Sequence, residues 1–171
     1  DRLSKMIDDL LDASRLQAGG LSLSRGDVSL PALAKRVAEK LAMQSRQHTI
    51  VTDFPEKFPV LLADETRIEQ VLINLISNAI KYTAKGEIKI SGQVRTEQVI
   101  VCVSDQGPGI EARDLPHIFD RFYRSTNAVK QTKGAGLGLY LARAIVEAHG
   151  GRIWADPKPD SGARICFSLP R

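Results

Sequence analysis

Aromatic residues are scarce in this chain, at 5% of 171 positions, and cysteine occurs only twice. The apolar share of 43% must therefore be carried mostly by Leu, Ile, Val and Ala. That share is too large for a disordered tail or a fibrous repeat. Cys102 and Cys166 sit in separate apolar runs, and neither has a partner at metal-ligand spacing. Two cysteines do not make a disulfide scaffold, so the sequence predicts small buried residues in a reducing compartment. No apolar run reaches the ~18 residues needed to span a bilayer. A signal peptide and an initiator Met are lacking, and Asp1 falls in what reads as mid-helix, so a fragment of a longer protein is expected. Strong charge of one sign is lacking too. A net charge of +4 suits an anionic ligand but does not by itself argue for nucleic acid. The length suits one ordinary domain with a short attachment.

Residues 2–18 read as an amphipathic helix with a narrow stripe: Leu3, Met6, Ile7, Leu10, Leu11 and Ser14 recur at three- and four-residue steps. Gly19-Gly20 ends it and marks the expected boundary between residues 1–19 and 20–171. Residues 21–30 alternate and read as extended, and Pro31 suits the first turn of a helix running to about Gln47. Strands are predicted at 48–54, 60–63, 87–95, 98–105, 152–156 and 163–169. Helices are predicted at 65–82, capped by Asp64, at 111–118 and at 136–149. Residues 123–135 lack periodicity and read as a long mobile loop. The expected fold is α/β: a two-layer sandwich of a mixed, about five-stranded sheet with about three helices on one face, preceded by a lone helix.

The helix at 65–82 sorts its residues cleanly. Ile68, Val71, Leu72, Leu75, Ile76 and Ala79 share one face, while Arg67, Gln70, Asn74, Asn78 and Lys81 form a polar stripe. A solvated face is the ordinary reading of such a stripe. Two asparagines four apart, however, cost helix stability, because their amides compete for backbone groups. They also supply neutral oxygens, which suit Mg²⁺ when nucleotide phosphates complete its shell. Lys81, one turn on, can meet a phosphate as a point charge.

Two glycine-rich turns follow. In residues 101–110 a strand ends at Asp105 before Gly107, Pro108 and Gly109. The pattern superficially matches a dinucleotide fingerprint, but Pro116 interrupts the required helix and no strand follows within 120–135. Asp105 is either a turn-capping residue or an acceptor for an exocyclic amine such as adenine N6. In residues 133–151, Gly134, Gly136 and Gly138 open an apolar helix, where free N–H groups suit an anion. No Gly-Lys-Ser/Thr follows, so this is not a P-loop. Between the turns, Phe119 and Phe122 are candidates to anchor the loop. Arg121, Arg124, Lys130 and Lys133 add positive charge.

In order and spacing these segments resemble the catalytic, ATP-binding domain of bacterial sensor histidine kinases. Residues 64–83 resemble the family's N box, 105–110 its G1 box, 119–124 its F box and 134–139 its G2 box. The opening residues 7–19 resemble the end of the second helix of its dimerisation bundle. The resemblance implies the Bergerat sandwich shared with gyrase-type ATPases, heat-shock chaperones and mismatch-repair ATPases. It implies that Asn78 holds Mg²⁺, that Asn74 assists at the phosphates, that Lys81 contacts phosphate and that Tyr82 packs on the nucleotide. It gives Asp105 to the adenine amine, with Gly107 and Gly109 letting the base approach. Ile110, Arg124, Lys133, Leu137 and Leu139 complete the implied ATP-binding set. Residues 123–135 become a lid hinged at Gly134, Gly136 and Gly138.

The resemblance also implies a phosphoryl transferase: a cytoplasmic domain of a homodimer that modifies a histidine on a dimerisation helix and serves a response regulator. The hydrolysing relatives carry a Glu where Asn74 stands, so slow hydrolysis and transfer to an imidazole are expected. The family's acceptor motif is absent, and His48, His117 and His149 are assigned structural places, His149 favouring a helix dipole. Ala163 and Ile165 depart from the Thr and aromatic common in the family. Two other readings remain: a non-catalytic ATP-sensing module, and a kinase acting on serine of a small regulator.

Overall fold

The computed structural model describes residues 2–125, 134–157 and 161–171. In chain order the described elements are α1 (Arg2–Gln17), β1 (Gly26–Val28), α2 (Leu30–Ala42), β2 (His48–Asp53), β3 (Leu61–Ala63), α3 (Glu65–Tyr82), β4 (Gly86–Val94), β5 (Gln98–Ser104), α4 (Gly138–Ala148), β6 (Arg152–Ala155) and β7 (Arg164–Pro170). Side-chain caps start two of the helices. Ser29 Oγ accepts from the Ala32 N–H, with Pro31 in the first turn of α2. Asp64 Oδ1 accepts from the Arg67 N–H at 3.1 Å to open α3.

The sheet has the order β2-β4-β5-β7-β6, with β2–β4 parallel and the remaining pairs antiparallel. Helices α2, α3 and α4 cover one face. Alternation along the strands sends Ile88, Ile90, Val99, Val101, Val103, Ile165, Phe167 and Leu169 into the core against Ile68, Leu72, Leu75, Ile76 and Ile145. Each such Leu, Ile or Phe contributes about 1.5–3 kcal/mol by leaving water. Truncating Phe167, which is fully buried, is among the changes that cost most. The expected sandwich is therefore present, with five strands in its sheet.

Several expectations need correction. The helix after Pro31 stops at Ala42 rather than Gln47, because Gln44 and Ser45 turn back onto the carbonyls of Leu41 and Ala42. Of residues 21–30 only Gly26–Val28 is strand, and it pairs with β3 in a separate two-stranded ribbon. No helix forms over 111–118. Asp114, His117 and Asp120 donate backward to Glu111, Asp114 and His117, giving successive three-residue turns, and Pro116 has no N–H to offer a helix. Cys102 and Cys166 are not separate small residues. They stand opposite each other on β5 and β7, with Cα atoms 4.1 Å apart, and form a disulfide. A separation of 64 residues hid this pairing from the sequence.

His149 has the structural place expected of it, but not through the helix dipole. It is buried, its Nε2 accepts from the Asp64 N–H at 3.0 Å, and its Nδ1 lies 2.8 Å from the Ile145 carbonyl. An accepting Nε2 requires the neutral ring with the proton on Nδ1, so the residue ties two elements together and supplies no charge to the helix end.

Helix α1 rests against α3 and α4. Ala13 is buried with Leu137 and Leu141, and Asp12 Oδ2 receives Arg67 Nη1 at 2.8 Å and Gln70 Nε2 at 3.3 Å. Leu3, Met6, Ile7, Leu10 and Leu11, most of the predicted stripe, remain exposed.

Candidate nucleotide-binding site

The C-terminal half of α3, the ends of β5 and β7, the turn after β5 and the start of α4 enclose a cleft of about 490 Å³. Helix α3 sends Asn74, Asn78, Lys81 and Tyr82 into it, as its polar stripe requires. The turn contributes Asp105, Gly109 and Ile110, and the start of α4 contributes Gly134, Gly136, Leu137, Gly138 and Leu139, with Arg124 at the edge. The structure thus brings together nearly all the residues predicted from sequence. Gly107 does not line the cleft but stands behind Asp105. Lys133 and Lys130 lie outside the described residues, as does most of the predicted lid.

Asp105 is held in an unusual way. It is buried, and its Oδ1 accepts two backbone N–H groups, from Gly107 at 2.8 Å and Ala163 at 3.2 Å. The Asp105 N–H donates to the Ala163 carbonyl at 2.9 Å. One carboxylate oxygen is thus fixed by the backbone, and no described hydrogen bond reaches the other. That leaves an oriented acceptor at the edge of a wall formed by Val103 and Ile165, directly paired residues that both line the cleft. Gly109 adopts φ +81°, and a Cβ there would stand 3.0 Å from the Gly162 carbonyl. A Cβ at Gly162 would run into the Asp105 carbonyl. Backbone and carboxylate are packed too closely for side chains.

At the other end, the N-cap of α4 is Leu137, whose side chain cannot accept a hydrogen bond, so among the described residues no side-chain cap takes up its first N–H groups. Lys81 lies beside them: a Cβ on Gly134 would be 2.7 Å from its Nζ, which also lies 5.3 Å from the Tyr82 ring centre. Asn74 is buried, and its Nδ2 donates to the Gly138 carbonyl at 3.0 Å, pinning α4 to α3. Gly136 has φ +72°, and its carbonyl accepts from the Phe122 N–H at 3.0 Å. The cleft therefore runs from an acceptor beside an apolar wall to a cluster of N–H donors and positive charge. That polarity suits a base at one end and phosphates at the other.

Sequence reasoning missed several lining residues. Ala163 and Ile165, flagged only as departures, are part of the wall, and Ala163 acts through its backbone. Lys5, Met6 and Asp9 of α1 border the cleft through a contact across some seventy residues of sequence, for which the chain carries no local signal. Burial raises the pKa of Asp9 above the ordinary carboxylate value. Asp12 and Asp8 add to the rise, against the lowering effect of Lys5. Asp114 and Tyr123 also line the cleft, and the Tyr123 hydroxyl donates to Asp114 Oδ1 at 2.6 Å.

Residues 63–171 match the family described as histidine kinase-, DNA gyrase B- and HSP90-like ATPases. Adaptive-response sensory kinase SasA of Rippkaea orientalis is 37% identical over 98% of this chain and 44% of its own length. Full-length ShkA, crystallised in complex with AMPPNP, superposes with a TM-score of 0.88 at 30% identity, covering 99% of this chain and 36% of ShkA. Histidine kinase ThkA, crystallised in complex with the response regulator protein TrrA, superposes at 0.80 with 29% identity, covering 99% of this chain and 47% of its own. The chain spans less than half the length of these three proteins.

Proposed function

Because the chain belongs to the family of histidine kinase-, DNA gyrase B- and HSP90-like ATPases, we propose that it is the ATP-binding catalytic part of a sensor histidine kinase. In this reading residues 20–171 bind ATP, and residues 1–19 are the end of a dimerisation helix. The γ-phosphate passes to a histidine on another helix of that bundle, in the same or the sister subunit of a homodimer, and from there to a response regulator. The domain works in the cytoplasm, where ATP is supplied. Among the described residues no helix is long and apolar enough to cross a membrane.

The observation that carries the reading is Asp105. With Oδ1 held by two N–H groups, its other oxygen is oriented to accept the adenine amine, while Val103 and Ile165 pack on the base. Tyr82 covers the nucleotide. Lys81 and the start of α4 meet the phosphates, and Asn74 holds that start in place. Among the described residues no cluster of carboxylates, imidazoles or thiols could bind a metal by itself. A cation at this site would therefore be held by Asn78 together with the nucleotide's own oxygens, which fits Mg²⁺. Mg²⁺ bound there supplies charge neutralisation on the phosphates. Asn74 cannot take a proton from water, so hydrolysis is slow and the chain's residues serve positioning. The three histidines support an external acceptor: His48 bonds Ser45 and the Thr83 carbonyl, His117 bonds Asp120, and His149 is buried.

Calorimetric titration with ATP, with and without Mg²⁺, tests the reading beside Asp105→Asn. Mg²⁺-dependent binding that collapses in the variant is expected. A folded chain that binds no ATP overturns it. Binding without acid-labile phosphohistidine, when the dimerisation hairpin is supplied, leaves an ATP-sensing module instead.

A further inference from the structure

The cystine lies where a staple is least needed. Strands β5 and β7 are interior strands, zipped over seven registered pairs from Gln98–Pro170 to Ser104–Arg164. Val101, Val103, Ile165 and Phe167 point to the helices, so Cys102 and Cys166 point to the opposite face. That face carries polar side chains such as Lys89, which reaches Asp53 in an exposed ion pair. In the register, Ser91 stands beside Cys102 and the half-buried Trp154 beside Cys166.

Arg164 stands next to the bond. Its Nη2 lies 3.7 Å from Cys102 Sγ, and its buried Nε has no hydrogen-bond partner among the described residues. A guanidinium in this position favours an anion on Cys102 and so makes that sulfur the better leaving group. The cystine is also one residue from the cleft on both strands: Val103 and Ile165 form its apolar wall, and Asp105 and Ala163 exchange hydrogen bonds two residues further on.

We propose that Cys102–Cys166 is a redox-active cystine, opened by a dithiol reductant with Arg164 receiving the Cys102 thiolate, and that its state sets how firmly the Val103–Ile165 wall and Asp105 are held. A reductant thiolate attacks Cys166 Sγ, the S–S bond breaks, and its electron pair leaves on Cys102 Sγ. The second reductant thiol then attacks the sulfur of its own mixed disulfide and releases Cys166. The two reductant protons end on the two cysteines, and the reductant becomes a disulfide. In the cytoplasm, where the proposed function puts the domain, a disulfide is more often transient or sensing than a permanent staple, which favours a switch here. The effect on nucleotide rests on the reading of the cleft above; the chemistry of the bond does not.

The full chain is treated with dithiothreitol at neutral pH without denaturant, and thiols are counted by alkylation and mass. Two thiols per folded chain are expected, restored to none by oxidised dithiothreitol. Amide exchange at Asp105 and Ala163 should quicken several-fold on reduction, while the β2–β4 ladder stays unchanged. Arg164→Gln should slow reduction about three- to tenfold, with partial rescue by Arg164→Lys. Cys102→Ser/Cys166→Ser should reproduce the reduced chain's exchange. Thiols that appear only after unfolding, thiols that resist oxidation in the folded chain, or reduction without change at Asp105 and Ala163 each overturn the proposal. If both redox states fail to bind ATP, the nucleotide reading fails while the thiol and exchange results still decide this one.

Discussion

His149 and Asp64 join the end of α4 to the start of α3: the ring after α4 accepts the backbone N–H of the residue that caps α3, at 3.0 Å. Asp64 is a hub, since its side chain also receives the N–H groups of Arg67 and Ser24. His149→Ala removes a buried acceptor and donor together and leaves a cavity. A loss of about 2–4 kcal/mol is expected, read as a lowered midpoint in urea unfolding. ATP affinity of the folded fraction should stay within about twofold, because the ring is remote from the cleft. A fall in affinity that survives correction for folding counts against this assignment.

Gly136→Ala tests the hinge. The backbone there is left-handed, and a Cβ would stand 2.8 Å from both the Phe122 carbonyl carbon and the Tyr123 carbonyl oxygen. Backbone cannot step aside as a flexible side chain can. A loss of about 1–3 kcal/mol is expected in thermal unfolding, with ATP binding weakened further as the start of α4 shifts. Unchanged titration curves for ATP would separate Gly136 from the site.

Much of this was legible in the sequence because periodicity and caps are local. Pro31, Asp64 and the apolar stripe of α3 announced their helices, and the same helix's polar stripe announced Asn74, Asn78 and Lys81 of the cleft. What stayed hidden is pairing at long range. Cys102 and Cys166 meet only through the β5–β7 register, and Lys5, Met6 and Asp9 come to the cleft because Ala13 and Asp12 dock α1 on the sandwich. Residues 111–118 misled because their composition suits a helix while their bonds close three-residue turns. Ala163 was invisible because its contribution is a backbone N–H, which no residue identity reports.

Asp12→Ala should loosen α1 without unfolding the sandwich. The carboxylate holds Arg67 and Gln70, both on α3, and its side chain and that of Arg67 are mostly buried. Beyond that ion pair, α1 is fixed by the small cluster around Ala13. Faster amide exchange and proteolysis confined to residues 2–18 are expected, with the midpoint of global unfolding nearly unchanged. A cooperative loss of the whole fold would show that α1 is integral to it.

Acid should firm the Asp9 region relative to an Asp9→Asn variant. Burial raises the Asp9 pKa, so the folded state holds its proton to higher pH than the unfolded state does. Its contribution to stability therefore falls as pH rises through the raised value and recovers as pH drops toward the ordinary carboxylate value of 3.8. The difference in stability between the variant and the parent chain should shift in the variant's favour on going from acid to neutral pH. Unfolding curves across that range read the sign directly, and a difference independent of pH contradicts it.

Asn74 offers the sharpest separation between scaffold and site. Its amide donates to the Gly138 carbonyl, so one half of the group is already used inside the protein. The other half, the amide oxygen, borders the cleft where the phosphates are proposed to lie. If Asn74 only pins α4, Asn74→Ala weakens ATP and ADP equally, since both need the same helix start. If it also orders the γ-phosphate end, ATP loses more than ADP. We expect the second result, with the ATP-to-ADP affinity ratio falling by about three- to tenfold, equivalent to one modest hydrogen bond. Stability should drop by about 1–3 kcal/mol in the same variant, because the Gly138 carbonyl loses its buried donor. An unchanged ratio with that same loss of stability would assign Asn74 to the scaffold alone.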